Sequence, residues 1–198
     1  MHDLFDQYSL LHFASGVTAY FWGFTPWKWI LGHLAWEAFE NSSVGLKLVN
    51  KYWHWPGRKA PMVRDSLANT IGDNISAQAG YWGAKWLDDY GKDHDWYGEK
   101  KHNHKMGQKF LQYSLLHFAQ GVIAYFLNTP PFLWFITHAT FEFLENTGPG
   151  MHFINSVLKD VWPGGKPEAD SVINVLGDNL AAQVGYWSAR SLDLRIRN

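Results

Sequence analysis

Gln7–Phe21 reads QYSLLHFASGVTAYF, and Gln112–Phe126 reads QYSLLHFAQGVIAYF, 105 positions later. The offset continues along the chain. His33, Glu37, Glu40 and Asn41 return as His138, Glu142, Glu145 and Asn146. Asp65, Ser66, Asn69, Asp73 and Asn74 return as Asp170, Ser171, Asn174, Asp178 and Asn179. A duplication of this length predicts two units of about a hundred residues each. The expected division is repeat one over 1–90, a polar linker over 91–107 and repeat two over 108–198. What both copies keep is polar and ionisable residues set inside apolar stretches. That combination points to a site without naming a reaction.

Each copy reads as three helices. The first, from about Gln7 to Phe24, is apolar around nearly its whole circumference, so it is either buried or in lipid. Thr25-Pro26 breaks the chain and starts a second helix to about Asn41. A polar stretch with Pro and Gly follows, in which LKLVNKYWHW can lie amphipathically on a surface. Asp65-Ser66 caps a third helix running to about Tyr90. Copy two repeats the plan over Gln108–Leu127, Pro131–Asn146 and Asp170–Leu194. No alternating strand pattern is visible. The expected fold class is all-α, a six-helix bundle of two tandem three-helix repeats.

With 17 Lys and Arg against 18 Asp and Glu, no affinity for nucleic acid is implied. The absence of cysteine excludes disulfides and thiolate ligands. The start, MHDLFDQYSLLHF, lacks the basic region of a signal peptide. Twelve tryptophans exceed what a small core needs and suit a membrane interface. Mean hydropathy is slightly negative, which weighs the other way. On balance the expectation is an integral, multi-pass membrane protein with transmembrane helices. Three spans per copy would force the second copy to enter from the opposite side, an inverted repeat. Lys and Arg divide evenly between the two sides, so charge does not orient the chain.

His33, Glu37 and Glu40 fall at i, i+4 and i+7 on one helix face. Asp65, Asn69 and Asp73 form a similar stripe, and His12 sits on the first helix. If these faces converge, His12, His33, Glu37 and Asp73 make a candidate metal set, with His117, His138, Glu142 and Asp178 as its second copy. Histidine with carboxylate and no thiolate suits zinc, iron or manganese. Glu40 and Glu145 are candidate general bases. Asp65, Asn69, Asn74, Asp170, Asn174 and Asn179 read as a structural polar network. A hydrogen-bonded network that only fixes helix register would use the same residue types, and the two readings stay open. His54, His94, His102, His104 and His152 read as surface residues.

The pattern HxxWExxEN followed by DSxxNTxGDxxxxxxGY resembles that of a family of bacterial integral membrane proteins, with a WExxENS segment before a GDSxxNSxxD segment. It is distantly similar to the VanZ-like proteins and to modules in membrane proteins of large DNA viruses. His33, Trp36, Glu37, Glu40, Asn41, Asp65, Asn69 and Asp73 carry the likeness here. Arg64 and Ala169 stand where that family has Gly before Asp-Ser. The resemblance implies an integral membrane protein and supplies no reaction. Three functions are therefore expected: a scaffolding component of a membrane-associated, even viral, assembly; a metal-dependent enzyme acting on a lipid or lipid-linked substrate; and a cation or proton transporter. The expected partners are a lipid bilayer and other protein subunits.

Overall fold

The computed structural model describes residues 4–53, 56, 61–94, 113–159, 165–166 and 168–197. Among them the chain is all-α, with eight helices and no strand. Copy one carries α1 (Ser9–Phe21), α2 (Pro26–Glu40), α3 (Ser43–Tyr52) and α4 (Leu67–Asp93). Copy two carries α5 (Ser114–Phe126), α6 (Pro131–Glu145), α7 (Gly148–Ser156) and α8 (Val172–Arg197). The linker expected over 91–107 lies outside the described residues from 95 onward, as do His54, His102 and His104.

Local chemistry accounts for the boundaries. Thr25 accepts from the Lys28 amide and Pro26 occupies the first turn, so α2 begins there. Ser66 accepts from the Asn69 amide at 3.1 Å, and Ser171 from the Asn174 amide at 3.2 Å, capping α4 and α8. Ser42 and Thr147 cap α3 and α7. Asn41 ties a helix end to the next element: its Nδ2 donates to Glu37 O, and its Oδ1 accepts from the Asp65 amide at 2.7 Å. Asn146 does the same with Glu142 and Asp170.

The core lies where α1 and α5 meet, backed by α4 and α8, and is built from Ala14, Val17, Phe21, Ala84, Val122, Phe126 and Ala189 with their neighbours. Tyr8 packs on Phe126 with ring centroids 5.5 Å apart, and Tyr113 packs on Phe21 at 5.8 Å. The start of each helix therefore meets the end of the other, and α1 and α5 run antiparallel. Glycines allow the tightest contact within each copy. A Cβ on Gly16 would strike the Ala77 carbonyl, and one on Gly80 would strike the Phe13 carbonyl. Gly121 and Gly185 stand in the same relation to Ala182 and Phe118.

Two expectations are corrected here. The bundle has eight helices among its described residues, because the amphipathic stretches after α2 and α6 form short capped helices of their own. The integral, multi-pass membrane localisation and its transmembrane helices are overturned: no helix among the described residues is long and apolar enough to cross a membrane. The reason is physical. Helices α1 and α5 are 13 residues each, about 20 Å long against a hydrocarbon layer of about 30 Å. Helices α4 and α8 have the length, but they carry Asp73, Lys85, Asp88 and Lys92, or Asp178, Arg190 and Asp193. The apolar circumference of α1 is buried against α4 and α5, which was the other outcome its pattern allowed. The span-counting argument for an inverted repeat lapses with the spans.

Candidate metal centre

Two helices of copy one aim side chains at one point. His12 comes from α1, and His33 and Glu37 come from successive turns of α2. Their ligand atoms form a triangle: His12 Nδ1 to His33 Nε2 is 3.0 Å, His12 Nδ1 to Glu37 Oε1 is 3.4 Å, and His33 Nε2 to Glu37 Oε1 is 3.8 Å. Copy two builds the same triangle from His117, His138 and Glu142, with sides of 3.0, 3.3 and 3.9 Å. Ligands about 2.1 Å from one tetrahedral ion lie about 3.4 Å apart. Both triangles scatter around that spacing.

The surrounding groups fix which ring atoms face inward. Asn74 Nδ2 donates to Thr70 O at 2.8 Å, so its Oδ1 is the atom facing His33 Nδ1 at 3.1 Å. An amide oxygen only accepts, so His33 Nδ1 carries the proton and Nε2 presents a lone pair to the triangle. Asn179 repeats this for His138, bonding Val175 O at 2.8 Å and the ring at 3.2 Å. Behind His12, Nε2 faces Asp73 Oδ2 at 3.8 Å, and Asp73 Oδ1 accepts from Ser9 Oγ at 2.9 Å. Asp178 and Ser114 stand equivalently behind His117. An oxygen acceptor behind each ligating imidazole is the usual outer layer of a metal site. Trp29 packs on His33 with centroids 5.2 Å apart and donates its Nε1–H to Ala77 O; Trp134 does so for His138.

Without a cation the site is electrostatically awkward. Glu37 is 2% exposed and Glu142 wholly buried, yet no hydrogen-bond donor reaches any of their four carboxylate oxygens. Burial, then Glu40, Asp73 and Asp65, pushes Glu37 up to about 8. Burial, then Glu145 and Asp178, pushes Glu142 up to about 9. Burial, then the neighbouring imidazole, holds His12 and His117 down to about 3. His33 and His138 are lowered mainly by burial. Burial also raises Asp73 and Asp178 to about 7. Near neutral pH the imidazoles are thus uncharged donors, and each glutamate gives up its proton only for a positive partner.

The remaining candidates fall around the triangles. Asp73 and Asp178 lie behind a ring nitrogen and outside the ligand set. Glu40 lies three residues after Glu37 on α2, and burial followed by Asp65 raises it to about 7. Glu145 is buried and accepts from Lys166 Nζ at 2.6 Å. Asn69 and Asn174 lie within the first turn of their helices, and Asn174 bonds Asp178 at 2.8 Å. His94 and His152 are surface residues, as expected. Trp29 reads in the sequence as part of an interfacial-anchor segment, Trp27–Trp29, and Trp134 carries no reading there, although their i, i+4 spacing to His33 and His138 was visible. Sequence reasoning passed over Ser9 and Ser114, inside the quoted repeat, and Lys166, for which the repeat holds no signal. Comparison with protein-family models, curated proteins and solved structures finds no match.

Proposed function

We propose that this chain binds divalent metal at two centres, His12–His33–Glu37 and His117–His138–Glu142, and uses them in metal-dependent hydrolytic chemistry. The observation that carries the reading is the unpartnered pair of buried carboxylates, each set beside two imidazole lone-pair positions at ligand spacing. A network built only to satisfy itself would have placed donors on Glu37 and Glu142, since a bare buried carboxylate is costly. A proton shared between His12 and His33 would settle the imidazoles and leave those oxygens unserved. One cation satisfies all three groups.

Three protein ligands leave a coordination position for water or substrate, as in catalytic zinc sites. A bound divalent ion supplies Lewis acidity there, and zinc, manganese and iron suit the donor set. Glu40 and Glu145, next to the ligating glutamates, are the groups assigned to accept a proton. Asn74 and Asn179 hold the inner tautomer of His33 and His138. The two copies are read as equivalent units related by a pseudo-two-fold axis, which the reciprocal Tyr8–Phe126 and Tyr113–Phe21 contacts support.

Metal analysis by mass spectrometry on the purified, zinc-reconstituted chain tests this directly. The expected stoichiometry is about two ions per chain, about one in His33→Ala or His138→Ala, and none in the double variant. A folded wild-type chain that holds no ion after reconstitution ends the proposal. Asn74→Ala is expected to weaken one centre by about 10- to 100-fold while leaving the other unchanged, read by competition with a chromogenic chelator.

A scaffolding role is the second reading, favoured by one observation. Trp27, Leu67, Phe132 and Val172 are each about three-quarters exposed, on the outer faces of four helices. Apolar surface on that scale is expected to be covered by another protein subunit. The mass of the purified particle by light scattering distinguishes a larger assembly from a lone chain.

A further inference from the structure

The surface that joins the two copies is one surface used twice. Every apolar residue that α1 gives the core has an identical counterpart on α5, among them Ala14 and Ala119, Val17 and Val122, and Phe21 and Phe126. Tyr8 and Tyr113, which precede the two helices, match as well. Their ring contacts are reciprocal: Tyr8 meets Phe126 at 5.5 Å and 49°, and Tyr113 meets Phe21 at 5.8 Å and 45°. An interface in which residue i of one partner meets j of the other, and j meets i, is isologous. The outer helices show no such identity. Trp27-Lys28 of α2 stands against Phe132-Leu133 of α6, and Leu46-Lys47 of α3 against Met151-His152 of α7.

Helices α1 and α5 carry little that tells one copy from the other. Selecting one partner over another needs a charge, a clash or an unpaired polar group set against the wrong one. Neither helix contains Asp, Glu, Lys or Arg. They differ at two positions, Ser15 against Gln120 and Thr18 against Ile123. Ser15 and Thr18 direct their hydroxyls to the His12 and Ala14 carbonyls of α1 itself. Pairing α1 with a second α1, and α5 with a second α5, therefore re-forms the same kind of contact. Two molecules bring two α1 and two α5 helices to two interfaces either way.

We propose that this interface also forms between molecules, by exchange of halves: α1 of one chain pairs with α1 of a second, and α5 with α5. Each ligand triangle draws all its residues from one copy, so exchange leaves it whole. The proposal therefore stands apart from the metal reading. It gives the assembly reading a route, since a chain with two self-complementary halves closes into a dimer or continues into a longer string of molecules. The α1–α5 core must open before halves can exchange, so the partition between single and exchanged chains is set during folding.

The test is refolding of the full wild-type chain from urea over a range of concentrations, read by light scattering. A tenfold rise in concentration is expected to raise the dimer fraction about tenfold while dimer is the minor species. The dimer should then persist on dilution, because returning to single chains requires the core to open again. Refolding only to single chains at every concentration overturns the proposal. So does a dimer that dissociates at once on dilution, which is association through the exposed outer faces. Thiols identify the contact, since the chain holds no cysteine of its own. Ala14 and Ala119 are wholly buried and lie about midway between the two ring contacts, where an antiparallel pair of like helices brings like residues together. Ala14→Cys, and separately Ala119→Cys, refolded at high concentration in a glutathione buffer, should each give disulfide-linked dimers. Ala14→Cys/Ala119→Cys refolded in dilute solution should instead close within one chain. Single variants that fold without cross-linking overturn the exchange, and a folded double variant that does not close removes the interface it depends on. If the thiol variants fail to fold, the wild-type dilution result decides.

Discussion

Metal-free protein is expected to lose stability as the pH rises from about 6.5 to about 9, and bound zinc to abolish the loss. Glu37 and Glu142 have folded-state values near 8 and 9, well above those of an unfolded chain, because burial penalises their charge. A raised carboxyl contributes stability that is complete below its unfolded value and is lost as pH climbs through its folded value. Asp73, Asp178 and Glu40, raised to about 7, act in the same direction. The depressed histidines act the other way, but their contribution is complete once pH passes their ordinary value of 6.5. Between about 4.5 and 6.5 the two effects oppose each other. Above 6.5 only the carboxyl loss remains. At 1.36 kcal/mol per pH unit, Glu37 alone accounts for about 2 kcal/mol between pH 6.5 and 8.

Urea unfolding in the presence of EDTA, repeated at half-unit pH steps, reads this slope. Zinc replaces the proton on each glutamate with a stronger partner, so the metal-loaded chain should be flat or rising over the same window. The same protonation states set the stoichiometry of release. Since the imidazoles are already neutral, each ion entering at pH 7 should expel about one proton, the one on its glutamate. Calorimetry in buffers of different ionisation enthalpy measures that number. A stability curve that rises from pH 6.5 to 9 without metal would show that the glutamates are ionised and partnered, and the site argument would fall with it.

How much of this was legible beforehand differs from element to element. The duplication, the all-α class and the shared face of His33 and Glu37 followed from spacing, because i, i+4 on α2 leaves no choice of face; whether His12 of α1 meets them was left open by the sequence and is decided by packing. The caps were legible too, although Ser66 rather than Asp65 serves α4. The short helices α3 and α7 were read as surface stretches, since ten residues with a polar face carry little helical signal; their caps, Ser42 and Thr147, were the overlooked clue. The membrane expectation failed on an ambiguity in α1. A helix apolar all round fits lipid and fits burial between two neighbours, and only tertiary packing separates them. Asp73 was placed among the ligands because helical spacing gives a face but not a depth; it lies one imidazole further out. Lys166 sits in the loop where the two copies diverge, so the internal comparison that identified the other residues could not reach it.

The second large effect concerns the backbone contact that brings the ligands together. Gly16→Ala is expected to destabilise the chain by about 3 kcal/mol and to dismantle the first metal centre while sparing the second. The new methyl group would overlap the Ala77 carbonyl and crowd the Tyr81 amide, both of them helix backbone that no rotamer change can move. The strain is relieved only if α1 withdraws from α4. His12 lies one turn before Gly16 on α1, and its backing carboxylate, Asp73, lies one turn before Ala77 on α4. A separation large enough for the methyl therefore draws His12 away from Asp73 and stretches the Ser9–Asp73 hydrogen bond, so the ligand triangle opens. Gly83→Ala is the control on the same helix pair. Its Cβ would meet nothing within 4 Å, and alanine is the better helix former, so it should be neutral or stabilising by up to about 1 kcal/mol. Urea melts of the two variants, read beside zinc stoichiometry, separate a helix-propensity effect from a packing one. Gly121→Ala should reproduce the loss at the second centre, since Ala182 and Tyr186 crowd it in the same way. Equal stability of Gly16→Ala and Gly83→Ala would mean that α1 and α4 do not touch at this point, and the geometry that assembles His12 with His33 and Glu37 would lose its support.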